Sequence, residues 1–156
     1  MHPVLKIVSC VALSTLLAAC SGGAVRKQIN PPRASLQQLA VQADGQWRLS
    51  VRLQNFSNVP TAFESVNARL VVDGQDAGSF SLAPAMTIGP ESADVVTATL
   101  RPALGAKLVV ASALSSGQSV RYVVSGKIAT SNPKGDYDFS FDSTLNPAPG
   151  LNGVLR

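Results

Sequence analysis

Histidine and cysteine are almost missing from this sequence of 156 residues: His2, Cys10 and Cys20 are the only ones, and all three fall within the first twenty positions. From Ser21 onward there is no imidazole to take a proton from a serine, and no thiol or imidazole for zinc, copper or haem iron. A Ser–Lys pair stays formally open through Lys107, Lys127 or Lys134, but nothing marks one serine out. There is no phosphate loop and no Gly-x-Gly-x-x-Gly behind a strand pattern. Aromatic residues make up only 5% of the chain, and the basic residues after Arg33 come singly (Arg48, Arg52, Arg69, Arg101, Lys107, Arg121, Lys127, Lys134, Arg156), not interleaved with aromatics as a groove for single-stranded nucleic acid requires. Nucleic acid is therefore not an expected partner, and no cofactor, metal or small-molecule substrate is expected either.

What is present begins with a three-part leader: MHPVLK with one lysine, the mostly apolar IVSCVALSTLL, then Ala18-Ala19-Cys20. The apolar stretch is well short of the ~18–20 residues that span a hydrocarbon core, and small residues close it, as in a secretory signal. Leu17-Ala18-Ala19-Cys20 also resembles the lipobox of bacterial lipoproteins, which implies lipidation of Cys20 and removal of residues 1–19. Two or three acyl chains at about 0.8 kcal/mol per buried methylene make such attachment stable. Ser21, in place of aspartate, resembles the outer-membrane address of enteric lipoproteins. The expected location is the bacterial cell envelope, in the outer membrane facing the periplasm, with the bilayer as partner through the acyl chains on Cys20. His2 and Cys10 leave with the signal, so no disulfide within one chain is expected.

The formal net charge of +4 sits near that anchor. Once Lys6, Arg26, Lys27 and Arg33 are set aside, basic and acidic residues balance from Ala34 onward. Residues 21–35, SGGAVRKQINPPRAS, carry Gly22, Gly23, Pro31 and Pro32 without an apolar period and read as a soluble tether, up to ~50 Å long when stretched. The same three cations suit mild attraction to lipid headgroups, although a plain tether explains them as well.

From Leu36 the period is two. Trp47, Leu49, Val51 and Leu53 alternate with Arg48, Ser50, Arg52 and Gln54, as on a strand with one wet face. Leu39 and Val41 precede it across Asp44-Gly45, Val66 to Val72 run up to Asp73-Gly74, and Phe80 and Leu82 return. Val96, Ala98 and Leu100, then Val120, Tyr122 and Val124, then Tyr137, Phe139 and Phe141 complete about seven strands. The expected fold is mainly β: an antiparallel fibronectin- or immunoglobulin-like β-sandwich over residues 36–145. Pro102 to Gly117 reads as one or two helical turns, with Leu104 and Leu108 four apart, although Val109-Val110 equally suits a strand. Residues 146–156, NPAPGLNGVLR, read as an extended tail.

DYDFSFD places Asp136, Asp138, Ser140 and Asp142 at the one-three-five-seven spacing of a calcium loop, but Phe141 and Pro147 stand where an EF-hand needs glycine and glutamate. A strand with these four toward water and Tyr137, Phe139 and Phe141 toward the core explains more residues. Neighbouring acids on a wet strand also lack any means of raising one pKa for glycosidase work, and Glu64 and Glu91 stand alone. Asn55-Phe56-Ser57 matches a glycosylation acceptor, read as coincidence here.

The stretch from Asn55 to Leu100 resembles the type 2 late-embryogenesis-abundant family, also called the water-stress and hypersensitive-response domain. It has an Asn-rich turn (Asn55, Asn58), a VDGQDAG hairpin and a Pro-bearing loop (Pro84, Pro90) before a Val- and Thr-rich strand. YVVSGKI, with Tyr122 and Gly126, and the aromatic strand before Leu145 continue the likeness. The resemblance implies a fibronectin-like sandwich, often with one short helix, and an association with desiccation, cold or osmotic stress without an enzymatic site. The expected function is a non-enzymatic envelope protein with a protective or interaction role. An accessory protein of an envelope transport or assembly complex, docking by a sheet edge or by residues 146–156, is the alternative.

Overall fold

The computed structural model describes residues 26–156, so the leader, Cys20 and the start of the tether lie outside the described residues. Alternating apolar residues build two antiparallel sheets. In the first, β1 (Arg33–Val41), β2 (Trp47–Gln54), β6 (Ala93–Leu100) and β9 (Val154–Leu155) take the order β6-β2-β1-β9. In the second, β3 (Thr61–Val72), β4 (Gln75–Leu82), β7 (Val120–Asn132) and β8 (Lys134–Leu145) take the order β4-β3-β7-β8, and β5 (Met86–Ile88) pairs with β3. The mainly β, two-sheet architecture agrees with the sequence pattern. The count among the described residues is nine rather than about seven, because β5 and β9 are too short to carry a readable period.

The inner faces meet in one core. Trp47, Leu49, Val51 and Leu53 of β2 are buried and face Phe63, Val66, Leu70 and Val72 of β3 and Val120, Val124 and Ile128 of β7. Their removal from water is the main favourable term. Turn chemistry sets the registers: Asp73 and Gly74 both have positive φ (41° and 77°), the twisted two-residue geometry that joins β3 to β4. Gly126 of β7 sits opposite Ala68 of β3, so close that an added Cβ would collide with the Asn67 carbonyl oxygen, which explains glycine inside a central strand.

The ambiguous stretch is a helix, α1 (Leu104–Ser116), longer than the one or two turns expected from sequence. It follows Pro102 and stops at Gly117, whose φ of 71° is left-handed, while the Gln118 N–H donates to the Ala113 carbonyl. Ala106, Val110 and Ala113 form its buried stripe, so tertiary burial overrides the strand preference of Val109-Val110. Residues 146–156 also depart from a free tail. Arg156 and Asn146 exchange backbone hydrogen bonds, Ala148 N–H donates to Val154, and β9 pairs with Leu39 and Ala40 of β1. Leu155 is fully buried, and that burial is what holds the segment down.

Tyr122 ties the sheets together. Its hydroxyl, reaching from β7, donates to the Leu36 carbonyl of β1 (3.1 Å) and accepts from the Leu36 N–H (3.2 Å). Burial pushes the phenol above its ordinary range, and the bond to Leu36 opposes that rise. The fold therefore favours the neutral phenol. That contribution is complete below the unfolded pKa near 10 and is lost as pH rises through the higher folded value. Tyr122→Phe is expected to lower unfolding free energy in urea by about 1–3 kcal/mol at neutral pH, because the Leu36 backbone groups lose their partner. The variant should also lose part of the wild-type fall in stability above pH 10, and an unchanged midpoint would contradict this role.

Candidate functional site

The acidic stretch lies where the strand reading puts it. Asp136, Asp138, Ser140 and Asp142 are exposed on β8, an edge strand, while Phe139 is buried and Tyr137 and Phe141 are half-buried. Asp138 meets Lys127 of β7 at 3.8 Å, an exposed pair of little energetic weight. Carboxylates at alternate positions of an extended strand stand out from one face ~7 Å apart, and among the described residues no group of three or more acidic, histidine or cysteine side chains is placed to hold a metal ion. Charges along an edge strand instead guard its unpaired backbone groups against other strands. Glu64 is exposed on β3, and Glu91 sits in the β5–β6 loop with φ 50°. Lys107, Lys127 and Lys134 are exposed on α1, β7 and β8, three separate elements. Cys20, the lipidation residue expected from the sequence, lies outside the described residues.

The most organised polar centre surrounds Asn55, only 1% exposed. It stands where the chain leaves the first sheet for the second. The two hydrogens of its Nδ2 are shared among the carbonyls of Val59 (2.8 Å), Gly89 (2.9 Å) and Ile88 (3.2 Å), and its Oδ1 accepts from Ser57 N–H (2.9 Å) and Thr61 Oγ1 (3.1 Å). Its backbone N–H donates to Ser92. One amide thus joins the β2–β3 crossover to the β5–β6 crossover. Buried and fully committed, it has no free nitrogen to accept a glycan. The sequence signal was the crowding of Asn55, Ser57, Asn58 and Thr61 in one turn, but which amide is interior depends on long-range packing.

The same turn captures the incoming chain. Gln28 N–H donates to Asn58 Oδ1 (2.7 Å) and Asn58 Nδ2 donates to the Arg26 carbonyl (2.8 Å). Asn30 N–H donates to Ser57 Oγ (3.0 Å), and Asn30 Nδ2 donates to the Phe56 carbonyl (2.7 Å). Arg33 then begins β1, with its guanidinium over the rings of Phe56 (5.2 Å) and Phe141 (5.5 Å). Residues 26–35 are thus built into one end of the sandwich, which corrects that part of the tether expected over 21–35. The physical reason is that short polar residues, invisible to an apolar period, find fixed backbone partners.

The depressions on the surface are open and shallow. One of about 400 Å³ is lined by Val71, Asp73, Arg121, Val123 and Asp142 at the opposite end from Asn55. Another of about 460 Å³ lies on the outer face of the first sheet, between Gln37, Gln38, Ser50, Val95 and Arg156. Among the described residues, every buried side-chain nitrogen and oxygen has a hydrogen-bond partner, so no interior polar group is left waiting for a ligand.

Comparison with known proteins gives likeness at the level of architecture. No family model matches the chain, and no curated protein matches it. Solved structures similar to it include a protein from Archaeoglobus fulgidus (16% identity, 78% of this chain and 98% of that one, TM-score 0.44). A protein from Arabidopsis thaliana solved in solution is 9% identical over 83% of this chain and 87% of its own, with TM-score 0.49. A structural-genomics target, SoR45, is 12% identical over 80% and 92%, with TM-score 0.44.

Replacing Asn55 tests the polar centre. Asn55→Ala is expected to cost roughly 3 kcal/mol of unfolding free energy, since several buried groups lose partners at once. Asn55→Asp keeps the shape but removes both donors, so it should also destabilise strongly. Wild-type stability of the Asp variant in a urea titration would show that shape alone matters.

Proposed function

We propose that the protein is a non-enzymatic, lipid-anchored protein of the bacterial envelope, of the water-stress class, acting through its sandwich surface. The observation that carries this reading is the built-in segment from Arg26. With Gln28, Asn30 and Asn58 pinning the chain, only the stretch from Cys20 to Arg26 separates the acylation site from the sandwich, ~20 Å at full extension. An acylated Cys20 would hold the sandwich close to the bilayer. The polar side chains of the interior support a surface role: Asn55, Ser57, Thr61 and Thr130 are committed to structural hydrogen bonds. Protection through surface contact needs no reacting pocket.

One observation favours the accessory reading beside it. Leu104 and Leu108 are 72% and 63% exposed, one turn apart on α1, at the end remote from Arg26. Large apolar side chains left wet on a helix are a feature of surfaces that meet a partner.

The anchor is tested by Cys20→Ser, which is expected to abolish acylation by intact mass and release the protein from the membrane fraction. Unchanged mass and fractionation would remove the anchor from this reading. Protection is tested by drying a labile enzyme with and without the lipidated protein, and no gain over albumin would count against it. For the accessory reading, Leu104→Ser/Leu108→Ser is expected to deplete a stoichiometric companion captured from gently solubilised envelopes.

A further inference from the structure

Three of the basic residues scattered along the sequence, Arg48, Arg52 and Arg156, are gathered by the fold. On β2, Arg48 and Arg52 point away from the core, on either side of Ser50, about 13 Å apart at strand spacing. The register places Thr99, Thr97 and Val95 of β6 beside Arg48, Ser50 and Arg52, and Ala40, Gln38 and Ser35 of β1 on their other side. Arg156, following β9, joins this face by donating from Nε to Gln38 Oε1 (2.8 Å). The result is an open field of mostly small or polar side chains carrying Arg48, Arg52 and Arg156, all exposed.

No acidic side chain shares that face. The strands of this sheet hold one acid, Asp94, which lies opposite Leu53 on the inner row at the edge. Asp44 is the nearest other acid, at the tip of the β1–β2 hairpin beside Arg48, and its side chain is taken up by Gln46. Among the described residues the ion pairs are Arg69–Asp76 and Lys127–Asp138, both on the other sheet. That second sheet carries Glu64, Asp76, Asp136, Asp138 and Asp142 against Arg69, Arg121, Lys127 and Lys134, so it is close to neutral, whereas the outer face of the first sheet carries cations without an acid.

We infer that the outer face of the β6-β2-β1-β9 sheet is a docking surface for anionic phospholipid headgroups, so that the sandwich lies on the bilayer by this face. Three features select lipid over an acidic protein. The face is open, with one shallow depression, and holds one exposed apolar residue, Val95, rather than the desolvated apolar centre that a protein interface needs. Arginine suits phosphate through bidentate hydrogen bonds. Arg26 and Lys27 extend the positive charge along the segment that leads to Cys20. Only the proximity of the bilayer rests on the lipid-anchor reading, since charge complementarity holds without it.

The test uses full-length chains carrying Cys20→Ser, so that no acyl group contributes and the leader is common to all. Flotation with vesicles of phosphatidylcholine, and of phosphatidylcholine mixed with phosphatidylglycerol, gives the preference for anionic lipid. Arg48→Glu/Arg52→Glu is expected to cut that preference at least about thirtyfold, because each cation near such a surface favours it about fivefold and the glutamates add repulsion. Arg121→Glu/Lys134→Glu makes the same change in net charge on the other sheet and is expected to cut it by less than about threefold. Trp47 near-ultraviolet dichroism verifies that both variants are folded. Equal losses in the two variants, or no preference for anionic vesicles in the parent, overturn the inference. The anchor reading fails separately, on the mass of Cys20 in the unsubstituted protein.

Discussion

A single buried amide holds together the end of the molecule on which the rest depends. A two-sheet sandwich must pass its chain from one layer to the other, and each passage exposes backbone groups that no sheet ladder satisfies. Here β2 leads to β3 and β5 leads to β6 at the same end, and Asn55 supplies hydrogen bonds to both crossovers. Asparagine suits the place because it donates twice and accepts at its oxygen. Inside a low-dielectric interior such a network stabilises only when complete, and the described residues leave no buried side-chain polar atom without a partner.

From that centre the consequences run outward. Ser57 and Asn58, held by the turn, fix Gln28 and Asn30, and these deliver Arg33 to the start of β1. β1 then pairs with β2 on one side, offers Leu36 to Tyr122 across the core, and receives β9 near its far end. The sheets are thus linked by specific hydrogen bonds as well as by apolar contact. The α1 end is closed differently, by a helix that buries small side chains and leaves Leu104 and Leu108 wet. The two ends therefore have different chemistry: a fixed polar network beside the entering chain, and two wet leucines among charged side chains opposite it.

Much of this was legible in the sequence. Period-two alternation in WRLSVRLQ and DYDFSFD gave the strands and their buried rows, and Asp73-Gly74 gave a hairpin whose twist requires positive φ. Less legible were β9 and the segment 26–32, where proline, glycine and short polar residues carry no period and find partners far along the chain, as Gln28 does with Asn58. The extent of α1 was open for a related reason: Ala, Leu and Val suit either state, and only the space between the sheets decides. Of the candidate site, the sequence showed which chemistry was unavailable after Ser21, but not which surfaces the fold would assemble.

What the sequence determined by itself is set by local chemistry: the lack of imidazole and thiol beyond Cys20, and a strand alternation that fixes which side chains face inward. Those follow from residue type and spacing within a few positions. Tertiary structure alone decided that Asn55, rather than Asn58, is interior, and that Arg48, Arg52 and Arg156 share a face. Such placements depend on pairing between strands distant in sequence, and a charge that counts as one of many along the chain acquires neighbours only when the sheet is formed.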